Sequence, residues 1–154
     1  MNIGIMKHYT FAKITVRPYP NVCDVANKWI FTPDIIAVVN VSQKRNSAVA
    51  DAIIQKDIAY YHFPLAEEVD DIGWSNVLEA VAVLRSYEAS EGRVLVHCDG
   101  GTHRSRLVVE AFHFAKCRYH LIDPYKGYEN HLIYDCAEGY LPPLSDVEAA
   151  LLGL

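Results

Sequence analysis

The sequence predicts an α/β fold with a central, mostly parallel sheet flanked by helices. Three observations predict it: short apolar runs typical of buried strands, segments with helical spacing between them, and a glycine-containing turn from a strand into a helix. Strands that alternate with helices form βαβ units, whose ligands bind at the carboxyl ends of the strands. The 154 residues suit one domain with a substantial core, so residues 1–154 are predicted to form a single domain.

The first half of the chain contains two predicted strands with a helix between them. Residues 35–41 form a continuous apolar run, which is typical of a strand buried on both faces. Residues 48–55 are predicted to form a short helix. A second strand follows over residues 58–63, and Pro64 stops it because proline cannot donate to a sheet ladder.

The second half begins with a longer predicted helix and a third strand. Gly92 is interpreted as the end of this helix, and residues 93–96 are the strand that follows. Near the C-terminus, residues 146–152 are predicted to form a further helix. The longer helix is predicted from apolar residues that recur at helical spacing, namely Val77, Leu78, Val81, Ala82 and Leu84.

Residues 97–105, which read His-Cys-Asp-Gly-Gly-Thr-His-Arg-Ser, are the most informative segment of the chain. An apolar, β-branched run precedes them and apolar residues at helical spacing follow, so the segment is predicted to be a strand end, a tight loop and a helix N-terminus. Such a loop directs backbone N–H groups at one point, and the helix dipole adds partial positive charge there. The segment therefore predicts an anion site, with phosphate as the natural occupant.

Two side chains of this segment predict its chemistry. Nearby N–H groups and a guanidinium favour a thiolate, and cysteines in such settings have pKa values of roughly 3.5–7.5 instead of about 8.5. Cys98 is therefore predicted to be a nucleophile at neutral pH. Arg104 supplies a planar fork of donors that can hold two phosphate oxygens, and Ser105 can place a hydroxyl near the sulfur.

Other interpretations of the segment are a metal site and an ordinary turn with a buried cysteine. His97, Cys98 and His103 lie close together in the sequence, but adjacent side chains at a strand end point to opposite sides. No second pair with the spacing of zinc ligands occurs in the chain. We therefore expect no metal and no other cofactor. The carboxylate of Asp99 is interpreted as turned outward, away from the anion.

Residues 97–105 resemble the His-Cys-x5-Arg-Ser signature of the cysteine-dependent protein tyrosine phosphatases, most closely the small dual-specificity type. Residues 38–42 are similar to the strand motif that precedes the first variable loop in these enzymes. The matching segments run from about residue 35 to residue 114, roughly half of the chain.

The resemblance implies a role for each residue of the signature. Cys98 would attack phosphorus and form a phosphocysteine, Arg104 would bind the phosphate and its transition state, and Ser105 would help the thiolate to leave. His97 would brace the loop and help to keep Cys98 ionised. The phosphate would lie against Asp99, Gly100, Gly101, Thr102, His103 and Arg104.

A poor leaving group also needs a general acid. In the resembled family this is an aspartate on the loop after the strand that ends here at Pro64. By position it falls on Glu67, which is 31 residues before Cys98, whereas the nearest aspartate is Asp70. Asp71 is interpreted as an N-cap or first-turn acid of the following helix, where the helix dipole favours a carboxylate. The choice between Glu67 and Asp70 stays open.

The resemblance thus implies hydrolysis of phosphate monoesters, carried by a phosphorylated protein or a small molecule. The net charge of −5 argues against a nucleic-acid or anionic-membrane surface. No run approaches the ~20 apolar residues of a membrane span, and four cysteines without disulfide spacing favour a reducing, cytoplasmic location. The alternatives are a catalytically weak phosphate-binding module and another anion enzyme on the same loop: a sulfurtransferase, an arsenate reductase or an RNA 5′-triphosphatase.

Overall fold

A computed structural model describes residues 13–66, 73–100 and 104–119 of the chain. These ranges contain four strands and four helices. In chain order they are β1 (Lys13–Arg17), α1 (Val22–Ala26), β2 (Ile35–Asn40), α2 (Ser47–Ile54), β3 (Ala59–His62), α3 (Trp74–Ser86), β4 (Arg93–His97) and α4 (Arg104–Tyr119). None of these helices is long and apolar enough to cross a bilayer. The helix predicted over residues 146–152 lies outside the described residues.

The four strands form one parallel sheet in the order β1-β4-β2-β3. The predicted parallel sheet with flanking helices is therefore confirmed. The sheet places β2 beside β4, although α2, β3 and α3 separate them in the chain. The carboxyl ends of β2 and β4 meet where the backbone N–H of Val41 donates to the carbonyl of His97 at 2.9 Å.

Both faces of the sheet are buried, which explains the continuous apolar runs of its central strands. Side chains alternate between faces along a strand, so Val38 and Leu95 lie on one face while Val39 and Val96 lie on the other. All four are 0% exposed. The first face packs on α1 and α2 through Val25, Val49 and Ile53, and the second on α3 and α4 through Val77, Val81, Leu84, Leu107, Val108 and Phe112.

The connections that follow β2 and β4 run to opposite faces of the sheet and create a switch point between these strands. The chain leaves β2 toward α2 on one face and leaves β4 toward α4 on the other. Neighbouring parallel strands whose connections diverge in this way open a crevice at their carboxyl ends, where ligands of α/β sheets bind. The segment that follows β4 begins at this crevice.

Two interpretations of the sequence around α3 are wrong. The helix ends at Ser86 with Tyr87 as its C-cap, so Gly92 does not cap it. A Cβ atom at Gly92 would lie 2.5 Å from the Cγ2 atom of Ile36, so the glycine serves close packing at the start of β4. The N-cap is Gly73 with φ of 88°, a left-handed conformation that favours glycine, and the first turn contains no acid, so Asp71 is neither the N-cap nor a first-turn residue.

Two elements near the N-terminus were not predicted. Strand β1 pairs with β4 from Lys13 to Arg17 and forms the edge of the described sheet next to β4. Helix α1 begins with a capping box in which Asn21 and Asp24 each accept a hydrogen bond from the other's backbone N–H. The Asn-x-x-Asp spacing is the sequence signal that identifies this helix start.

Candidate active site

The segment after β4, residues 98–105, is called here the Cys98 loop. Cys98 lies directly after the strand, and Arg104 and Ser105 are the first two residues of α4. The Sγ atom of Cys98 lies 3.3 Å from the Oγ atom of Ser105, so the two ends of the loop come together at the helix N-terminus. All three residues are buried. Gly101, Thr102 and His103 lie outside the described residues.

The Arg104 guanidinium is held at both of its terminal nitrogens. Nη1 donates to the carbonyl of Leu65 at 3.2 Å, and Nη2 donates to Oδ2 of Asp99 at 3.0 Å. The side chain is only 5% exposed. Because a guanidinium is planar and rigid, two acceptors on different nitrogens fix its plane as well as its position.

The sequence interpretation that the carboxylate of Asp99 is turned away from the site is wrong, because this carboxylate contacts Arg104. Besides Arg104, it accepts a hydrogen bond from the Ser42 hydroxyl at 3.0 Å and lies 3.5 Å from Nζ of Lys44. Burial opposes its ionisation, but the hydrogen bonds from Arg104 and Ser42 and the charges of Arg104 and Lys44 outweigh it and lower the pKa of Asp99. The group is therefore an anion at neutral pH.

A second loop, residues 41–46, brings Ser42 and Lys44 to the Cys98 loop and is called here the Ser42 loop. Asn40, which is fully buried, accepts from the backbone N–H of Ser42 at 2.8 Å and donates to the carbonyl of Lys44 at 2.9 Å. Nε2 of His62 donates to the carbonyl of Ser42 at 2.7 Å. Sequence reasoning did not assign Ser42 or Lys44 to the site, although polar residues directly after a buried strand were the available signal.

His97, the last residue of β4, supports the Cys98 loop as a neutral side chain. It is 0% exposed, its Nδ1 donates to the carbonyl of Cys98 at 3.2 Å, and its ring packs edge-on against Tyr19 with centroids 4.5 Å apart. Burial lowers the pKa of His97 to about 4, against the hydrogen bond to Cys98, which raises it. The ring therefore orients the loop backbone without placing a positive charge beside Cys98 at neutral pH.

The buried neutral histidine predicts a loss of stability in mild acid. The pKa of His97 is about 4 in the folded protein, below the 6.5 of the free side chain. The unfolded chain therefore takes up the proton first as pH falls, and the free energy of unfolding drops between pH 6.5 and pH 4, with little further change from this group below pH 4. At about 1.4 kcal/mol per pKa unit, the loss reaches about 3 kcal/mol.

Urea unfolding at several values between pH 7 and pH 4 measures this loss. His97→Asn, whose side-chain amide can still donate to the Cys98 carbonyl, is the matched variant because asparagine does not titrate. We expect its free energy of unfolding to fall less steeply with decreasing pH than that of the wild type. Equal slopes for the two proteins would show that His97 does not carry the effect.

The candidate general acids Glu67 and Asp70, together with Asp71, lie outside the described residues. The chain that leads to them is described as far as residue 66. Leu65 is fully buried, and its backbone N–H donates to the carbonyl of Val41 at 3.2 Å. Since its own carbonyl accepts from Arg104, the backbone two residues before Glu67 is in direct contact with the site.

The fold is that of the protein tyrosine and dual-specificity phosphatases. The chain superimposes on PTPMT1 in complex with PI(5)P with a TM-score of 0.66 and 14% identity, covering 91% of this chain and 88% of that one. Human DUSP28 gives a TM-score of 0.59 and 16% identity over 91% and 89% of the two chains. TpbA of P. aeruginosa in complex with pTyr gives 0.59 and 18% over 92% and 85%. The predicted fold class is confirmed by these structures.

The sequence is similar to a curated protein of the same class. It is 34% identical over 95 residues to the probable dual specificity protein phosphatase H1 homolog of Fowlpox virus. This match covers 61% of the chain and spans about half (51%) of that protein's length. No family model matches the chain. The resemblance drawn from residues 97–105 to the cysteine-dependent phosphatases is therefore confirmed by an independent relative and by the fold.

Proposed function

We propose that the chain is a dual-specificity-type phosphatase domain that hydrolyses phosphate monoesters through a phosphocysteine on Cys98. The observation that carries the proposal is the 3.3 Å contact between Cys98 and Ser105 at the N-terminus of α4, whose first residue is Arg104 with a buried guanidinium bound to Asp99. A nucleophile, an anion-binding helix end and a fixed guanidinium thus lie together at the switch point of the sheet. The name of the viral relative and the fold support the same activity.

In the first step the Cys98 thiolate attacks phosphorus. A P–S bond forms and the ester P–O bond breaks, and its electron pair leaves with the oxygen, which takes a proton from the general acid. Arg104 and the backbone N–H groups at the helix end hold the phosphoryl oxygens while charge redistributes over them. The alcohol or phenol departs and the phosphoryl group remains on sulfur.

In the second step water attacks the phosphocysteine. The former general acid, now a carboxylate, accepts a proton from the water, the P–O bond to water forms, and the P–S bond breaks. The electron pair returns to Cys98 as a thiolate, and the Ser105 hydroxyl at 3.3 Å is placed to donate a hydrogen bond to it. Inorganic phosphate leaves and the enzyme returns to its starting state.

The substrate class of this proposal is a phosphorylated protein or a small phosphate ester. Structural neighbours have been solved with a phosphoinositide and with phosphotyrosine, and both ligands carry a phosphate monoester. No nucleic-acid partner is proposed, because the net charge of −5 argues against a nucleic-acid surface. The RNA 5′-triphosphatase is not proposed for the same reason. Because the chemistry needs a reduced Cys98, we propose a cytoplasmic location.

Release of inorganic phosphate from para-nitrophenyl phosphate and from a phosphotyrosine peptide tests the proposal. Turnover of either substrate that depends on Cys98 supports it. If the protein binds phosphate and releases no product from either, it is a phosphate-binding module, and the enzymatic proposal is wrong.

Glu67 is proposed as the general acid, because two residues of chain span at most about 7 Å and Leu65 already contacts Arg104. Glu67→Gln is expected to reduce kcat on a phosphoserine peptide by about 10²-fold, the order attributed to general acid catalysis. The same variant is expected to retain most activity on para-nitrophenyl phosphate, whose leaving group departs without protonation. The ratio of kcat on the two substrates is the measurement.

Asp70→Asn is the competing variant, and Glu79→Gln on the exposed face of α3 is the control. The variant that selectively loses the poor leaving group identifies the acid, so a selective loss in Asp70→Asn assigns the role to Asp70 instead. Glu79→Gln should leave both substrates unaffected. If neither acid variant is selective, the proton comes from another group.

A further inference from the structure

The carboxylate of Asp99 joins three side chains at the rim of the site, and each of its oxygens has its own partner. Oδ2 accepts from Nη2 of Arg104 at 3.0 Å. Oδ1 accepts from the Ser42 hydroxyl at 3.0 Å and lies 3.5 Å from Nζ of Lys44. A residue of the Cys98 loop therefore connects the arginine of that loop to the neighbouring Ser42 loop.

Asp99 is anchored by contacts that do not involve Arg104. Its backbone carbonyl accepts from the N–H of Tyr19 at 2.9 Å, and Ser42, its side-chain donor, is itself fixed by buried Asn40. The carboxylate is thus positioned by the scaffold, and the Arg104 guanidinium docks onto it. The contact to Leu65 on the other terminal nitrogen completes the orientation of the guanidinium.

We propose that Asp99 is a positioning residue whose carboxylate, held by Ser42, orients the Arg104 guanidinium for the phosphate. The inference rests on the proposed function, because the anion that meets Arg104 there is the phosphoryl group of the substrate. A bidentate contact needs two N–H groups aimed at two oxygens, and a small rotation of the fork removes one of them. In this role the carboxylate of Asp99 acts on the phosphate only through Arg104.

A carboxylate beside Arg104 has a second conceivable effect, which is to compete with the phosphate for the guanidinium. The two effects have opposite signs in a binding experiment. Removal of a competitor strengthens phosphate binding, whereas removal of a positioning group weakens it. The burial of the Arg104 side chain favours positioning, because water has little access to replace the lost acceptor.

The test measures the dissociation constant of inorganic phosphate by titration calorimetry, together with kcat and KM on para-nitrophenyl phosphate. Asp99→Ala is expected to weaken phosphate binding and to lower kcat/KM by about ten- to a hundredfold, with the larger part of the loss in kcat. Asp99→Asn retains one acceptor oxygen for Arg104 and is expected to fall between Asp99→Ala and the wild type. Asp34→Asn is the matched control, since Asp34 also pairs with an arginine (Arg93), but at the opposite end of the sheet.

A double-mutant cycle separates positioning from a merely structural role. Ser42→Ala alone should weaken phosphate binding in the same direction as Asp99→Ala. If Ser42 acts through Asp99, the same change should have no further effect when Asp99 is already alanine. Additive losses would mean that the two residues act separately and would overturn the proposal. The cycle is read from variants that keep the wild-type thermal unfolding midpoint within a few degrees, with Asp99→Leu, which has a similar size and no acceptor, replacing Asp99→Ala if necessary.

The remaining outcomes are equally distinct. Unchanged or tighter phosphate binding in Asp99→Ala and Asp99→Asn overturns the positioning role. If the wild type still hydrolyses para-nitrophenyl phosphate in that case, the proposed function stands and only the role of Asp99 fails. A wild-type protein that binds no phosphate overturns both.

Discussion

Cys98→Ser is expected to abolish product release while leaving phosphate binding in place. A serine hydroxyl is not ionised at neutral pH and is a much weaker nucleophile than a thiolate, so the P–S bond of the intermediate has no counterpart. Removal of a nucleophile lowers kcat by orders of magnitude, and we expect a loss of about 10⁴-fold or more. Because serine is close to cysteine in size, the buried contact with Ser105 and the course of the loop should be retained.

Cys23→Ser is the control for this experiment. Cys23 is another cysteine of the chain, but it is exposed on α1 and is remote in sequence from the Cys98 loop. The control should keep wild-type kcat, and both variants should bind inorganic phosphate in a calorimetric titration. Undiminished turnover in Cys98→Ser would show that hydrolysis does not pass through Cys98, and the phosphocysteine mechanism would then be wrong.

The position of Cys98 could be predicted from sequence because local signals agree there. An apolar run, a glycine pair and a following helical pattern all lie within about twenty residues of one another, and each restricts the same strand–loop–helix unit. The central strand β2 was predictable for the same reason, since residues 35–39 are all apolar and offer no polar face. The start of α4 at Arg104 also agrees with the expected helix N-terminus.

The surroundings of Asp99 could not be predicted because they depend on contacts distant in sequence. Ser42 is 57 positions away from Asp99, and Leu65, which accepts from Arg104, is 39 positions from that arginine. Local pattern shows only that Asp99 is a charged residue in a loop. The parallel order of β2 and β4 brings these groups together, so the network appears only once the sheet is assembled.

Gly92 was misinterpreted for a related physical reason. A glycine after a helix is often a C-cap, because it adopts the left-handed conformation without strain. Here the absence of a side chain instead accommodates Ile36, which lies on the adjacent strand and 56 positions earlier in the sequence. A glycine that caps a helix and a glycine that allows close packing look the same in a sequence, and only the packed structure distinguishes them.

The second large effect is expected for Arg104→Lys. Lysine keeps the positive charge but replaces the rigid fork with one ammonium on a flexible stem. It cannot hold two phosphoryl oxygens in a fixed plane, and it cannot reproduce the separate contacts to Leu65 and Asp99 made by the two terminal nitrogens. We therefore expect kcat/KM on para-nitrophenyl phosphate to fall by about 10³-fold, the upper part of the range for loss of an oxyanion donor.

Arg93→Lys is the matched control, because Arg93 also makes two side-chain contacts, to Thr15 and Asp34, at the opposite end of β4. Its kcat/KM should stay close to the wild-type value. If Arg104→Lys also remains within about tenfold of the wild type, positive charge alone suffices at this position. The planar geometry of the guanidinium would then be unnecessary, and Asp99 would have no orientation to maintain, so the same measurement bears on both residues.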